Sequence, residues 1–151
     1  MLGAKYALPK ALPTWQVNLD GKESRFFPAG LDVLRARRSE IGQVVVIQMG
    51  DNYLGNESTF RSGIDQAMSI LSGVRWVVFV TVFEFQPDRA EVNNELRAAA
   101  ARYPNIRLAD WNAYEQAHPG HTSSDGLHLK PSGADLMAGL VASVVNSLPG
   151  A

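Results

Sequence analysis

The chain has 151 residues, 46% of them hydrophobic and 19% charged, a balance that fits one folded domain and excludes wholesale disorder. Its 14 Lys and Arg residues nearly balance 15 Asp and Glu residues, so no basic excess indicates nucleic-acid binding. The absence of cysteine excludes disulfide bonds, a thiolate nucleophile and cysteine-ligated metal. No apolar run approaches the ~20 residues that span a bilayer, and the proline-interrupted N-terminus matches a signal peptide poorly.

Short apolar segments alternate with amphipathic ones along the chain. Four of them predict β-strands, at residues 14–19, 43–49, 75–83 and 105–110. The second and third are β-branched and aromatic and almost continuously apolar, which is typical of strands buried on both faces of a parallel sheet.

The segments between these strands have apolar residues at helical spacing. They predict helices over residues 28–38, 57–72 and 88–103, and a last helix that begins near Pro131. Asp88 is the expected N-cap of the third. Alternating strands and helices predict a three-layer α/β/α sandwich around a parallel sheet, in which function gathers at the carboxyl ends of the strands.

The loop after the second predicted strand contains Gly50, Asp51 and Asn52. A glycine at a strand end permits close approach of another chain, and the Asn52 amide is a hydrogen-bond donor. The alternative is an ordinary turn that leads to a helix N-cap at Asn56.

The loop before the last helix places Asp125 three residues ahead of His128 in a non-helical stretch. At this spacing a carboxylate can accept the Nδ1 proton of the imidazole and leave Nε2 free as a general base. The alternative is an Asp-Gly turn followed by an incidental histidine. His118 and His121 in the same loop could suggest a metal site, but a loop rich in proline and glycine favours solvated histidines without metal.

Taken in their order, the two loops resemble the SGNH hydrolase family, also called GDSL-like esterases. Residues 50–52 (Gly-Asp-Asn) match its G-x-N block, and residues 125–128 (Asp-Gly-Leu-His) match its D-x-x-H block. Residues 76–145, with VVFVTV, AAAARYPNIRLADW and DGLHLKPSGA, are similar to the SGNH domain of extracytoplasmic peptidoglycan O-acetyltransferases. Residues 20–25 (DGKESR) are similar to the D-x-K-x-G-R segment of that subgroup, with Ser24 at its glycine position.

The resemblance implies acyl-ester chemistry without a cofactor. His128 would be the general base, oriented by Asp125, and an oxyanion hole would form around Asn52, Ser24 and Gly50. The substrate would be a small acyl ester or an acetylated saccharide, and hydrolysis and transfer both remain open. The subgroup further implies an extracytoplasmic location and a membrane acyltransferase module in a longer protein.

Two departures from the family pattern affect this expectation. Asp51 would oppose a developing oxyanion, and no Gly-Asp-Ser block supplies the nucleophile. Ser123 and Ser124 share the loop of the base, and Ser24 occupies the position of a backbone donor, so none of them is expected to replace the missing serine.

The missing block also removes a strand. The family sheet resembles the flavodoxin-like order 2-1-3-4-5, so segments 14–19 and 43–49 would lack the first, central strand between them. We expect either that residues 1–151 are an N-terminally truncated single domain, inactive alone, or that these two strands pair directly. Two alternatives stay open: a non-catalytic SGNH-like module that binds glycan, and an unrelated flavodoxin-like ligand-binding domain. In the latter, Asn52 and His128 would lie far apart.

Overall fold

The computed structural model describes residues 2–150. Its helices and strands follow the order α1 (Leu8–Ala11), α2 (Phe27–Ala36), β1 (Val44–Ile47), α3 (Glu57–Ile70), β2 (Trp76–Val80), α4 (Arg89–Arg102), β3 (Ile106–Ala109), α5 (Trp111–Ala117) and α6 (Pro131–Asn146). Short 3-10 turns cover Leu2–Ala4 and Arg38–Glu40. Within the described part, no helix is both long enough and apolar enough to cross a membrane.

The three strands form one parallel sheet in the order β1-β2-β3. Val45 lies opposite Val77 in the first pair, and Phe79 lies opposite Leu108 in the second. Each connection between neighbouring strands contains a helix, as parallel strands require.

Helices cover both faces of the sheet, which explains why the central strand is apolar at every position. Val77 and Phe79 of β2 pack into a core with α3 and α4, whereas Val78 and Val80 pack into a second core with α6. Successive side chains of a strand point to opposite faces, so a strand with two covered faces needs no polar side. The α/β sandwich expected from the sequence is confirmed.

Most predicted helix starts lie where the sequence places them. The side chain of Asn56 accepts a hydrogen bond from the Thr59 N–H at 2.9 Å and caps α3, and Pro131 is the first residue of α6. Asp88 precedes α4, but its side chain makes no capping bond and instead pairs with Arg89.

Residues 14–19 do not form the predicted strand. Trp15, Val17 and Leu19 are half-buried and alternate with exposed residues, which is a strand-like pattern, but the segment has no strand partner. Direct pairing with β1 is absent among the described residues, because an apolar groove of about 350 Å³ separates the two segments. Since a strand consists of hydrogen bonds to a neighbour, a correct side-chain pattern alone does not form one.

Two short helices were not predicted. Helix α1 packs against α6, and α5 follows β3 directly, with Asp110 as its N-cap accepting from the Ala113 N–H at 3.1 Å. In the sequence, Asp110 is the last residue of a predicted strand, and its position ahead of a helix is not expected there.

Candidate active site

The loop after β1 begins at a position that only glycine fits. Gly50 has φ +130°, and a Cβ atom there would lie 2.6 Å from Val92 Cγ1 on α4. The missing side chain allows the backbone to pass close over α4, as expected from a glycine at this strand end. This passage directs residues 51–53 to the carboxyl edge of the sheet.

A buried arginine that the sequence analysis missed holds this loop. Arg89, only 6% exposed, donates hydrogen bonds to the backbone oxygen of Asp51 at 3.0 Å and to that of Tyr53 at 3.4 Å. Its side chain also pairs with Asp88. No sequence motif marks such a residue, because its partners are backbone atoms 36 and 38 positions away.

Asn52 connects this loop to residues 20–25. Its side-chain Nδ2 donates to the backbone oxygen of Arg25 at 3.2 Å. The neighbouring Ser24 has φ +53°, the only positive φ among the described non-glycine residues. That left-handed backbone is one which glycine adopts freely, and it occurs at the position where the family resemblance aligns a glycine.

Asp51 lies beside these groups and is half-buried. Gln48 donates to its carboxylate at 3.1 Å. Burial raises the pKa of Asp51 above its ordinary value, although attraction to Arg89 and His128 opposes that shift.

Asp125 and His128 form a hydrogen-bonded pair. One Asp125 oxygen accepts the backbone N–H groups of Leu127 and His128 at 2.9 and 3.0 Å, and the other lies 2.7 Å from His128 Nδ1. The turn contains Gly126 with φ +71°, packed against Phe85 of the loop after β2. The imidazole is 75% exposed, so Nε2 is open to a ligand.

The interaction between Asp125 and His128 shifts the pKa of both side chains. The hydrogen bond from His128, with the two backbone N–H groups, lowers the pKa of Asp125 to about 2. The same bond raises the pKa of His128, with further contributions from the charges of Asp51 and Glu23.

A second buried carboxylate organises the loop that carries the pair. Glu115 is 1% exposed and accepts the N–H groups of Gly120, His121 and Thr122 at 2.9 to 3.2 Å. Its other oxygen lies 3.0 Å from His121 Nδ1. The expectation of a solvated loop histidine is therefore wrong for His121, because a buried carboxylate draws its ring inward.

The exposed His118 agrees with the expectation of a solvated loop histidine, since its ring contacts Tyr114 and the backbone of α5. Among residues 2–150, no group of three or more His, Asp or Glu side chains could hold a metal ion. Nor does any serine hydroxyl in that range hydrogen-bond to His128.

A polar cluster fixes the loop after β2, next to the same edge. Glu84 accepts hydrogen bonds from the side chains of Asn93 and Asn112, each at 2.9 Å. Asn93 also bonds both backbone groups of Val82, at 3.0 and 2.8 Å. Both asparagines are buried, and the sequence analysis overlooked them because buried amides carry no local pattern.

Comparisons with known proteins give this geometry a context. No protein-family model matches the chain. A Bacillus subtilis (strain 168) protein named "Putative peptidoglycan O-acetyltransferase YrhL" is 29% identical over 134 residues, 87% of this chain and 20% of that protein. The chain thus spans about a fifth of this relative's length.

Among solved structures, the C-terminal catalytic domain of Streptococcus pneumoniae peptidoglycan O-acetyltransferase A (OatA), with a methylsulfonyl adduct, matches with a TM-score of 0.75 and 25% identity. The match covers 97% of this chain and 85% of that one. The chain is therefore similar in sequence to putative O-acetyltransferases, and its fold is similar to the catalytic domain of one. A G-D-S-L family lipolytic protein of Veillonella parvula DSM 2008 shares the fold, with a TM-score of 0.74, 16% identity and coverage of 92% and 86%. The SGNH resemblance seen in the sequence is confirmed.

Proposed function

We propose that this SGNH-like domain is the catalytic part of an ester hydrolase or O-acyltransferase that acts on acetyl esters, with cell-wall saccharides as its substrate class. The observation that carries the proposal is the hydrogen-bonded Asp125–His128 pair, whose exposed imidazole leaves Nε2 free. The relatives named for O-acetyl transfer support the substrate class.

In the proposed mechanism, the attacking serine belongs to polypeptide outside residues 1–151. As its oxygen bonds to the acyl carbon, Nε2 of His128 takes the hydroxyl proton, and the Asp125 carboxylate stabilises the imidazolium. The imidazolium then protonates the leaving alcohol oxygen as the ester bond breaks. Water or a sugar hydroxyl, deprotonated by the same imidazole, then attacks the acyl-serine. The bond from the serine oxygen to the acyl carbon breaks, the imidazolium returns the proton to that oxygen, and the acetyl group leaves as acetate or as the ester of the sugar.

The oxyanion that forms during each attack needs hydrogen-bond donors. Asn52 uses one amide hydrogen on the Arg25 oxygen and retains a second one, and the backbone N–H groups of Ser24 and Gly50 belong to the same edge. Loss of one such donor costs roughly 3–4 kcal/mol of transition-state stabilisation in known hydrolases.

A longer chain tests the mechanism. An apolar strand that ends in Gly-Asp-Ser is added ahead of residue 1, and hydrolysis of p-nitrophenyl acetate is measured. We expect turnover in this longer chain. His128→Ala should abolish it, whereas the matched variant His118→Ala, at an exposed histidine of the same loop, should leave it unchanged. Alanine at the added serine should also abolish it. If the extended chain stays inert, or if His128→Ala changes nothing, the catalytic assignment is wrong. Glycan binding without turnover would favour the non-catalytic module.

A further inference from the structure

The backbone of His128 is held by the first part of its own loop. The Ser123 N–H donates to the His128 carbonyl oxygen at 2.7 Å. Next to this bond, Thr122 and Leu129 form an antiparallel bridge. The segment that carries the imidazole is therefore paired with the segment ahead of it, and its position follows the position of that segment.

The segment paired with His128 is in turn held by Glu115, in the last turn of α5. One carboxylate oxygen accepts the N–H groups of Gly120, His121 and Thr122 and also the Thr122 hydroxyl, at 2.9 to 3.2 Å. The other oxygen lies 3.0 Å from His121 Nδ1. Because Thr122 directly precedes the residue that donates to His128, Glu115 is attached next to the backbone of the histidine.

The set of donors suits an ionised carboxylate. A carboxylate presents about four lone-pair sites and accepts only, so His121 Nδ1 carries the proton in its contact with Glu115. An amide in the same place would keep one accepting oxygen and would direct an NH2 group toward that ring nitrogen. Because Glu115 is 1% exposed, water has little access to replace the lost acceptor. Glu115→Gln therefore weakens the attachment of residues 120–122 and keeps the shape of the side chain.

We propose that Glu115 is a positioning residue for His128, the general base of the proposed function. The enclosed carboxylate does not reach the reacting atoms and acts through the loop that it holds. General-base catalysis requires Nε2 to lie within hydrogen-bond reach of the attacking hydroxyl, and a displacement of about 1 Å can cost roughly 100-fold in rate. The catalytic consequence rests on the proposed function, whereas the attachment of the loop does not.

Glu95 provides a matched control. It is also a buried carboxylate, 3% exposed, and it accepts hydrogen bonds from Arg61 at 2.8 and 2.6 Å. Glu95 lies on α4 and Arg61 lies on α3. Glu95→Gln therefore removes a buried charge with its hydrogen bonds and leaves the contacts of the His128 loop in place.

Hydrogen exchange under native conditions tests the attachment of the loop. We expect Glu115→Gln to speed exchange at the Ser123 amide, which bonds to His128, by about tenfold or more. The Leu127 amide, which bonds to Asp125 within the turn, should change far less, because that bond does not depend on the attachment.

Two comparisons separate this effect from a general loss of stability. Glu95→Gln should leave exchange at the Ser123 amide unchanged within about twofold. Thr122→Val, which removes only the hydroxyl bond to the carboxylate, should raise it about threefold, and it decides the question if Glu115→Gln does not fold. No increase at Ser123 in the folded variants, or an equal increase in Glu95→Gln, would overturn the proposal.

The chain extended by the Gly-Asp-Ser strand gives the catalytic readout. Glu115→Gln should lower kcat for p-nitrophenyl acetate about tenfold and leave KM nearly unchanged, because the base acts in the chemical step. Glu95→Gln should retain kcat. An active extended chain whose kcat does not respond to Glu115→Gln would overturn the positioning role. If the extended chain is inert, the proposed function fails, and exchange at Ser123 still decides whether Glu115 holds the loop.

Discussion

Replacing Gly50 by alanine should destabilise the protein by about 2–3 kcal/mol. The new Cβ would lie 2.6 Å from Val92 Cγ1 and 3.2 Å from Val82 Cγ1, and overpacking of this kind costs roughly 1–3 kcal/mol. The φ of +130° adds roughly 1–2 kcal/mol of backbone strain. Alanine has less conformational freedom than glycine in the unfolded chain, and this effect stabilises the folded protein by only ~0.4–1 kcal/mol.

Other glycines of this chain separate the two contributions. Gly55 has φ +71° but open space around it, so Gly55→Ala should cost only about 1 kcal/mol of backbone strain. Gly139 lies in α6, also with open space, and Gly139→Ala should stabilise by up to ~1 kcal/mol through helix propensity.

Urea unfolding followed by circular dichroism gives the free energies. Crowding by Val92 further predicts that Gly50→Ala costs ~1–2 kcal/mol less in a Val92→Ala background, since the closest methyl is then absent. If Gly50→Ala costs no more than Gly55→Ala, or if the Val92→Ala background changes nothing, the close passage of this loop over α4 is refuted.

Two charged pairs give further predictions. The Asp125 hydrogen bond raises the pKa of His128, so the imidazole should titrate above ~6.5 by NMR and Asp125→Asn should return it toward that value; an unchanged midpoint would contradict the pairing. Because the base must be neutral, activity of the extended chain should fall as pH drops through this raised pKa. Glu115→Gln should cost about 2–4 kcal/mol by urea unfolding, since a neutral amide replaces a carboxylate that accepts several N–H groups; Gln116→Ala, in the exposed neighbour, should stay within ~0.5 kcal/mol, and equal costs would refute the role of Glu115. Hydrogen bonds lower the pKa of Glu115 despite its burial, so this contribution should be present above the ordinary pKa of glutamate and be lost as pH falls through the lowered value.

Local periodicity was sufficient for much of the fold. The strand β2 was predictable because burial on both faces requires an apolar residue at every position. The helices α3, α4 and α6 were predictable because burial along one side of a helix requires apolar residues every three to four positions. The Asp125–His128 pair was predictable for a similar reason, since three residues in a turn are enough to bring a carboxylate to Nδ1.

Contacts between residues far apart in the chain could not be predicted from the sequence pattern. Arg89 binds a loop nearly 40 residues away, and Glu115 draws His121 out of solvent through a turn whose course the sequence does not reveal. Both residues look like ordinary surface charges in the sequence, because burial and partners are properties of the assembled chain.

Residues 14–19 show which properties follow from the sequence alone and which depend on the tertiary structure. The sequence alone determined their alternating side chains, and Trp15, Val17 and Leu19 are indeed half-buried while their neighbours are exposed. Only the tertiary structure decided that they form no strand, because the ladder of a strand depends on a backbone at its edge. On this side of the sheet, the space next to β1 is a groove.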